Sequence, residues 1–298
     1  MKNRKILVFG RVGQVGWELR HKLACLGEVV SVDYPEIDFS KPETIRAAVR
    51  AAAPTVIVNA AAYTAVDKAE SAPEPAWALN AAGPGVIAEE AKRLGALMVH
   101  YSTDYVYDGS KLGAWVETDV PHPLNVYGQT KLAGDEAIAA VGGDYLILRT
   151  SWVYGARGGN FLLTMLRLAK ERTELRIVDD QTGSPTTSEC IAQATAQILA
   201  QVTAPGAGGL GGRSGVYHLT CSGAATWFGF AKAFLSRQAA CPTLTPIASS
   251  EYPLPAQRPV NSVLNCERVA QTFGVRMPAW EDALELVLET LSEGAPRV

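Results

Sequence analysis

The first 152 residues alternate short apolar segments with helical segments, and this alternation constrains the fold more than any other feature of the chain. The apolar segments are rich in Val, Ile and Leu, as buried strands are, and helical segments of about 10–20 residues separate them. This order indicates parallel βαβ units. Strands are predicted at residues 5–10, 28–33, 55–62, 96–102 and 145–151, and helices at 13–26, 42–53, 76–94 and 124–141. We therefore predict an α/β fold with a doubly wound parallel sheet, and sites at the C-terminal ends of its strands.

A glycine-rich turn, GRVGQVG, joins the first predicted strand to the first helix. Gly10, Gly13 and Gly16 are spaced three apart, which departs from the G-x-G-x-x-G fingerprint. The context does match a dinucleotide site of the Rossmann type, because a strand precedes the turn, a helix follows it and Asp33 ends the next strand. Glycines permit a tight turn and a close approach of the backbone to a pyrophosphate at the helix N-terminus. The alternatives are a sugar or phosphate site, or a turn that serves packing alone.

Two side chains at this turn favour different coenzymes. Asp33 can accept hydrogen bonds from the adenosine ribose, which favours NADH. Arg11 could pair with a 2′-phosphate, which favours NADPH. The sequence therefore predicts NADPH or NADH and leaves the preference open.

The second half of the chain is less regular. Helices are predicted at residues 160–172, 187–201, 226–238 and 278–292, and strands at 175–178 and 216–220. We divide the chain into a dinucleotide-binding Rossmann domain, residues 1–152, and a smaller, mainly substrate-binding lobe, residues 153–298. Some segments of the lobe are expected to return to the Rossmann domain.

Charge and cysteine content exclude several classes of protein. The net charge of −3 argues against binding to nucleic acid or to an anionic membrane. The longest apolar run near the N-terminus, ILVFG, is too short for a signal peptide or a membrane span. The five cysteines are scattered without a CxxC pair, which fits reduced thiols. We therefore expect a cytoplasmic protein.

Two Tyr–Lys pairs share a four-residue spacing. Tyr107 and Lys111 flank an Asp-Gly turn, so they are predicted to lie in a loop. Tyr127 and Lys131 lie in a helical segment, where residues four apart share a face. A neighbouring ammonium lowers the pKa of a phenol and makes it a usable proton donor. We therefore predict that Tyr127 and Lys131 are the catalytic pair, and a surface helix pair is the alternative.

A hydroxyl that orients a substrate carbonyl is expected at the end of the strand before this helix. That strand ends in HYSTDYVYDG, which offers Ser102 and Thr103. The alternation of side chains along the strand does not decide which hydroxyl points into the cleft.

The motifs GRVGQVG, NAAAYTAVDKAES, HYSTDYVYDG, NVYGQTKLAGD and RTSWVYG occur in this order. Together they resemble the extended short-chain dehydrogenase/reductase superfamily and, more narrowly, the dTDP-4-dehydrorhamnose reductase family. Later stretches such as DDQTGSPTTSE and RPVNSVLN are also similar, so the resemblance covers nearly the whole chain. It implies NAD(P)H-dependent reduction of the 4-keto group of dTDP-4-dehydro-L-rhamnose to dTDP-L-rhamnose.

The resemblance also implies roles for individual residues. It makes Thr103 the hydroxyl on the substrate carbonyl, Tyr127 the proton donor, and Lys131 the partner of the ribose and the phenol. Sugar-binding positions fall on Asp104 and Trp152, although Trp152 could equally belong to the core. Coenzyme-binding positions fall on Gly13, Gln14, Val15, Asp33, Asp38, Phe39, Ala62, Tyr63 and Thr64. The pair Asp38–Phe39 could instead form a helix N-terminal turn with a core aromatic.

Arg258 lies in a proline-stiffened segment, AQRPVNS. Arginine matches phosphate geometry bidentately, so we predict that Arg258 binds the substrate diphosphate or fixes the lobe that does. The alternative is a pair with a nearby carboxylate.

Some members of the family bind Mg²⁺ through three glutamates at a dimer interface. Glu18 and Glu189 match two of these positions, whereas the third falls on Thr290, one residue after Glu289. One residue is about 100° around a helix, which turns the Glu289 carboxylate away. A magnesium ion and a homodimer are therefore possible, and solvated surface acids are the alternative.

Two rival functions share the fold. Nucleotide-sugar dehydratases place Asp and Glu after the threonine, whereas Thr103 is followed here by Asp104 and Tyr105. An epimerase and a non-catalytic regulatory subunit also remain open. The complete set of Thr103, Tyr127 and Lys131 argues against the regulatory subunit.

Overall fold

The computed structural model describes residues 4–238 and 241–292. The first half contains β1 (Lys5–Phe9), α1 (Gln14–Lys22), β2 (Glu28–Val32), α2 (Pro42–Ala52), β3 (Val56–Asn59), α3 (Val66–Ser71), α4 (Pro73–Trp77), α5 (Gly83–Leu94), β4 (Leu97–Thr103), α6 (Val126–Val141) and β5 (Tyr145–Thr150). A π-helical turn, Ala78–Ala82, joins α4 to α5.

The second half contains β6 (Val153–Tyr154), α7 (Phe161–Glu171), β7 (Glu174–Val178), β8 (Thr182–Gly183), β9 (Thr186–Thr187), α8 (Ser188–Val202), β10 (Gly215–His218), β11 (Ala225–Thr226), α9 (Trp227–Leu235), β12 (Thr243–Ile247), α10 (Glu267–Phe273) and α11 (Trp280–Ser292). The short strands pair two by two outside the main sheet, as β11 with β8, β12 with β7 and β6 with β9.

Six parallel strands form the central sheet in the spatial order β10-β5-β4-β3-β1-β2. The chain starts inside the sheet, at β1, and builds outward in both directions. The strand order reverses between β1 and β3, which is where doubly wound sheets bind ligands. The predicted α/β fold with a doubly wound parallel sheet is confirmed.

Two apolar layers enclose the sheet. One face packs against α1, α8 and α10, through side chains such as Leu19, Ile191 and Phe273. The other face packs against α2, α5 and α6, through side chains such as Ile45 and Ile87. Two helices of one layer, α8 and α10, and the edge strand β10 therefore come from residues beyond 152, and the division into two domains stays a prediction.

A separate apolar cluster holds the remaining C-terminal elements together. It joins α7, α9 and α11 through side chains such as Leu162, Phe230 and Leu284. This cluster lies next to β7 and β12. It forms a separate apolar core for the lobe that the sequence predicts to bind the substrate.

Two observations bear on the expected environment of the chain. Among the described residues, no helix is long and apolar enough to cross a membrane. The five cysteines all lie in the described part of the chain and are free thiols.

Candidate active site

The glycine turn brings the start of α1 close to the end of β1. Gly10 has a φ of +86°, and a Cβ there would lie 2.6 Å from the backbone nitrogen of Ala61. A Cβ on Gly16 would lie 1.9 Å from the carbonyl oxygen of Gly10, so any side chain would push the helix away. Gly13 is the N-cap of α1, and no side chain of the described residues caps it. The first N–H groups of this nine-residue helix can therefore bind an anion.

A cavity of about 370 Å³ opens beside this turn. Its volume lies in the range of small-molecule sites. Seven predicted coenzyme positions line it, namely Gly10, Gly13, Asp33, Asp38, Phe39, Ala62 and Tyr63. Sequence reasoning missed Val12 and Tyr34, which also line it and have exposed fractions of 76% and 75%. Exposed apolar side chains beside a glycine turn are a signal that could have indicated them.

Asp33 directly follows β2 and Arg11 lies in the glycine turn after β1, but other groups already engage both side chains. The Asp33 carboxylate accepts hydrogen bonds from the backbone N–H groups of Val12, at 3.1 Å, and Tyr34, at 2.9 Å. The Arg11 guanidinium binds both carboxylate oxygens of Glu36, at 2.8 and 3.1 Å. This contact lowers the pKa of Glu36. A 2′-phosphate would therefore compete with Glu36 for Arg11.

Asp38 and Phe39 serve the local structure as well as lining the cavity. Asp38 accepts hydrogen bonds from the backbone nitrogen and the hydroxyl of Ser40, at 3.0 and 2.6 Å. Phe39 packs edge-on against Phe9, and a Cβ on Gly83 would lie 2.2 Å from its ring. The alternative, a turn with a core aromatic, describes these side chains, and their contact with a coenzyme stays a prediction.

Asn80 holds the loop that follows β3. Its Oδ1 accepts from the backbone nitrogen of Tyr63 at 2.8 Å, and its Nδ2 donates to the carbonyl oxygen of Tyr63 at 3.1 Å. The Tyr63 hydroxyl is buried and has no hydrogen-bond partner among the described residues. Asn80 thereby fixes the backbone of Tyr63, which lines the cavity.

The predicted coenzyme positions Gln14, Val15 and Thr64 do not line the cavity, and neither do Arg11 and Gly16. The Gln14 carboxamide accepts a hydrogen bond from Asn160 at 3.0 Å, so it ties the glycine turn to the second half of the chain. Val15 packs against the core, and Thr64 lies in the loop after β3. Contact of these residues with a coenzyme stays a prediction.

Helix α6 positions the predicted catalytic pair. Asn125 caps it, since its Oδ1 accepts from the backbone nitrogen of Gly128 at 2.8 Å. A Cβ on Gly128 would lie 2.2 Å from the carbonyl oxygen of Tyr105, so the helix starts against the segment after β4. Tyr127 packs edge-on against the Tyr105 ring at 5.6 Å, and Lys131 is 1% exposed. The pair therefore lies at the C-terminal end of the sheet.

The two hydroxyls at the end of β4 have different partners. Ser102 donates to the Asp135 carboxylate at 2.9 Å and is turned away from Tyr127. The Thr103 hydroxyl is close enough to Tyr127 to act on its pKa. The structure thereby separates the two residues that the sequence left open, and Thr103 is the one beside the phenol.

Burial decides the ionisation of Tyr127. It raises the pKa of the phenol to about 12, and the nearby Thr103 hydroxyl offsets it only in part. The Lys131 Nζ donates to the carbonyl oxygen of Tyr101 at 2.6 Å and lies 3.2 Å from Nε2 of His100. The expected lowering of the Tyr127 pKa by Lys131 is therefore wrong for this structure.

Asp104 is a buried carboxyl surrounded by hydroxyls. It is 2% exposed and accepts hydrogen bonds from Thr103 at 2.9 Å and Ser151 at 3.1 Å, with Ser262 also in contact. Burial raises its pKa to about 6, and the three hydroxyls act against this rise. Asp104 therefore changes its charge close to neutral pH.

Trp152 has a strained backbone and a stacked side chain. Its φ is +46°, which is uncommon for a bulky residue and often marks a functional site. Its ring lies parallel to that of Trp227, with centroids 3.4 Å apart, and a Cβ on Gly183 would lie 2.4 Å from it. Sequence reasoning missed Trp227. The contact of Trp152 with a sugar stays a prediction.

Arg258 pairs with a nearby carboxylate, which was the alternative to diphosphate binding in the sequence analysis. Its guanidinium donates to both oxygens of Asp67 on α3, at 3.0 and 2.7 Å. The pair joins the proline-stiffened segment to the first half of the chain. The pair therefore fits the predicted role of Arg258 in fixing the substrate-binding lobe. Binding of the substrate diphosphate by Arg258 stays a prediction.

Tyr107 and Lys111 are structural, although they share the spacing of the catalytic pair. The Tyr107 side chain is 0% exposed, and its hydroxyl contacts Arg149 at 2.8 Å and His218 at 2.9 Å. Lys111 forms an ion pair with Asp119 at 2.5 Å. Both contacts hold the loop after β4 in place.

The two candidate metal ligands lie near each other. Burial raises the pKa of Glu18, and the Glu189 carboxylate raises it further. Glu189 is also bound by the Lys22 ammonium at 2.6 Å, and the hydroxyl of Thr290 donates to its own helix. Residues 4–238 and 241–292 contain no cluster of three or more His, Cys, Asp or Glu that could hold a metal ion. A single chain therefore does not fit Mg²⁺ at this point.

The chain matches known proteins along almost its whole length. The family model described as the RmlD substrate binding domain matches residues 4–293. A dTDP-4-dehydrorhamnose reductase from Burkholderia thailandensis is 50% identical over 295 residues, which cover 96% of this chain and 99% of that protein.

Two solved structures are similar to the fold described above. A dTDP-4-dehydrorhamnose reductase from Clostridium acetobutylicum has a TM-score of 0.90 and 34% identity, over 97% of this chain and 99% of that one. The same enzyme from Bacillus anthracis, in complex with NADP, has a TM-score of 0.89 and 32% identity, over 97% of this chain and 99% of that one. The chain belongs to the dTDP-4-dehydrorhamnose reductase family.

Proposed function

We propose that this chain reduces the 4-keto group of dTDP-4-dehydro-L-rhamnose to give dTDP-L-rhamnose, with NADPH or NADH as coenzyme. One observation carries the proposal. Thr103 and Tyr127 meet at the C-terminal end of β4, on the same sheet edge as a nucleotide-sized cavity, in a chain that belongs to this reductase family. The NADP complex of the Bacillus anthracis relative supports a nicotinamide coenzyme.

Residues of the chain would protonate the substrate oxygen and stabilise its developing charge. When bound, the coenzyme supplies the hydride for C4. Tyr127 is protonated at neutral pH, because burial raises its pKa to about 12, so it can donate its proton to the developing alkoxide. The Thr103 hydroxyl can turn from Asp104 towards the same oxygen and stabilise its charge. Lys131 would hold the nicotinamide ribose.

The direct test uses the purified chain with NADPH or NADH and dTDP-4-dehydro-L-rhamnose. We expect coenzyme oxidation that depends on the sugar, and dTDP-L-rhamnose as the product by NMR. The regulatory-subunit alternative predicts no oxidation by the chain alone. A dehydratase or an epimerase would convert the sugar without net consumption of NAD(P)H, so either result would contradict the proposal.

A magnesium ion shared by two copies of the chain, at Glu18 and Glu189, also stays a proposal. The two carboxylates lie near each other, and a second copy would have to supply further ligands. Sedimentation velocity with magnesium and with chelator would test it, and Glu189→Gln is the matched variant. A sedimentation coefficient that changes neither with magnesium nor with the substitution would contradict the shared magnesium ion.

A cytoplasmic location is proposed on the free thiols alone. Fractionation of the source cells, with detection of the chain in the soluble cytoplasmic fraction, would test this location.

A further inference from the structure

His100 lies within β4, directly beside Lys131, and the proposed reaction gives it no role. Its side chain is 0% exposed. Nε2 lies 3.2 Å from Nζ of Lys131, and Nδ1 lies 3.0 Å from Nδ2 of Asn59 on β3. Because both ring nitrogens are buried, each contact has to be a correctly paired hydrogen bond.

Asn59 determines which ring nitrogen of His100 carries the proton. The Oδ1 of Asn59 accepts from the backbone nitrogen of Ala61 at 3.2 Å, so Nδ2 is the amide atom that faces His100. An amide nitrogen only donates, and Nδ1 of His100 must therefore accept. The reversed amide would place two donors together at Ala61 and leave a buried N–H unsatisfied, which is unfavourable.

The proton on His100 consequently points at Lys131. Burial and the neighbouring Lys131 hold the pKa of His100 well below its usual value, so the ring is neutral and carries one proton, on Nε2. An ammonium has only donors and cannot accept this N–H. A neutral amine accepts it through its lone pair and still donates to the carbonyl oxygen of Tyr101, at 2.6 Å.

We propose that His100 is a positioning residue for Lys131: as the Nε2–H tautomer fixed by Asn59, it donates a hydrogen bond to Nζ and favours the neutral amine. Burial acts in the same direction and lowers the pKa of Lys131 to about 8. Both forms of Lys131 are therefore accessible near neutral pH.

The other groups around Lys131 limit this effect without reversing it. On its own helix Lys131 faces Tyr127 and Asp135, and the Asp135 carboxylate raises the pKa of Lys131. Asp135 is shared with Arg149 on β5, at 3.2 Å, and with Ser102. From β4, Lys131 meets the backbone of Tyr101 and the ring of His100. Among these contacts, the hydrogen bond between Lys131 and the His100 imidazole is the one whose donor and acceptor depend on a tautomer.

The consequence for catalysis rests on the proposed reduction. The charge of Lys131 would act on the nicotinamide ribose, which the proposed reaction assigns to this side chain. We therefore expect kcat/KM to fall as the pH rises through the titration of Lys131. The hydrogen bond from Nε2–H of His100 favours the neutral amine. Lys131 should therefore lose its proton at a lower pH than burial and Asp135 alone would give.

The tautomer can be measured in the wild-type chain without any assay of activity. A long-range ¹H–¹⁵N correlation spectrum distinguishes the two neutral tautomers and the imidazolium. The chain has four histidines, of which His21 and His122 are exposed and His100 and His218 are buried. His218 is the internal control, because its Nδ1 faces two carbonyl oxygens, those of Trp115 and Asn265, and should carry the proton.

Of the two buried histidines, His100 should be the Nε2–H tautomer and His218 the Nδ1–H tautomer. The Nε2–H signal should disappear in His100→Gln. Two Nδ1–H signals from the buried histidines would overturn the proposal, and the spectrum of the wild-type chain alone would show them. An imidazolium at His100 would also overturn it.

The pH profile then separates a catalytic role from a merely structural one. In His100→Gln, the carboxamide oxygen can accept from an ammonium, so the alkaline fall of kcat/KM should move upward by about one pH unit. His218→Gln, which changes the other buried histidine, should leave the position of this fall unchanged. An unmoved fall in His100→Gln would overturn the role in catalysis. A wild-type chain without reductase activity would instead contradict the proposed function, and the tautomer measurement would still decide the hydrogen bond.

Discussion

Replacement of Asp104 by asparagine should stabilise the folded chain at alkaline pH. Burial raises the pKa of Asp104 from 3.8 to about 6, a rise of about two pH units. Each pH unit corresponds to about 1.4 kcal/mol, so ionisation of the buried carboxyl costs about 3 kcal/mol of folding free energy. Asparagine keeps the shape but cannot ionise, and its amide nitrogen would donate to one of the hydroxyls that now donates to Asp104. Asp104→Asn should therefore raise the free energy of unfolding by up to about 3 kcal/mol at pH 8.

The sign of the effect follows from proton linkage. Between about pH 4 and pH 6 the folded chain holds a proton on Asp104 that the unfolded chain has lost. The contribution of Asp104 is therefore fully present below about pH 4 and is lost as the pH rises to 6. The stability difference between variant and wild type should grow across this window and then stay constant.

Urea or thermal unfolding from pH 4.5 to 8.5 would measure this difference. Asp180→Asn is a control of opposite sign. Burial acts against it, but hydrogen bonds from Ser249 lower the pKa of Asp180, so the asparagine variant should be the less stable one at neutral pH. A difference between Asp104→Asn and wild type that does not change with pH would refute the reasoning.

Three further predictions concern the proposed reaction. Tyr127→Phe should lower kcat about 10²–10⁴-fold and leave the Kd of the coenzyme nearly intact, because it removes only the acid; a variant with normal turnover would rule out Tyr127 as the proton donor. Asp33→Ala should shift the KM ratio towards NADPH and Arg11→Ala towards NADH, and unchanged ratios in steady-state kinetics would show that neither side chain reads the ribose. Arg258→Ala should raise the KM for the dTDP-sugar several-fold at constant coenzyme Kd, and so should Asp67→Asn if the pair fixes the lobe; equal losses for both ligands would indicate a general structural role.

The sequence predicts the sheet well because its strands carry a strong local signal. Every strand from β1 to β5 is an apolar segment, and each lies within about three residues of its predicted bounds. Weak local signals explain the missed elements. The helices α3 and α10 have six and seven residues, which is too short for a clear helical period. The strand β12 contains Pro246, which argues against a strand but is tolerated in a two-stranded sheet.

The candidate site is predictable where it depends on spacing and unpredictable where it depends on distant contacts. The shared face of Tyr127 and Lys131 follows from helix geometry alone. The pKa of Tyr127 does not, because burial raises it. Arg258 and Asp67 are 191 residues apart, so no local pattern connects them. The motif resemblance supplied the family, which is confirmed over residues 4–293.

The position of β10 affects how the chain can be made and cut. This strand pairs with β5 at the edge of the sheet, although more than sixty residues separate the two, and α8 and α10 join α1 in covering one face. During synthesis, the first five strands would have an open edge and a partly uncovered apolar face until these later segments are made, and such surfaces promote aggregation. Residues 1–152 expressed alone should therefore need a chaperone or the remaining polypeptide, supplied in trans, to stay in solution.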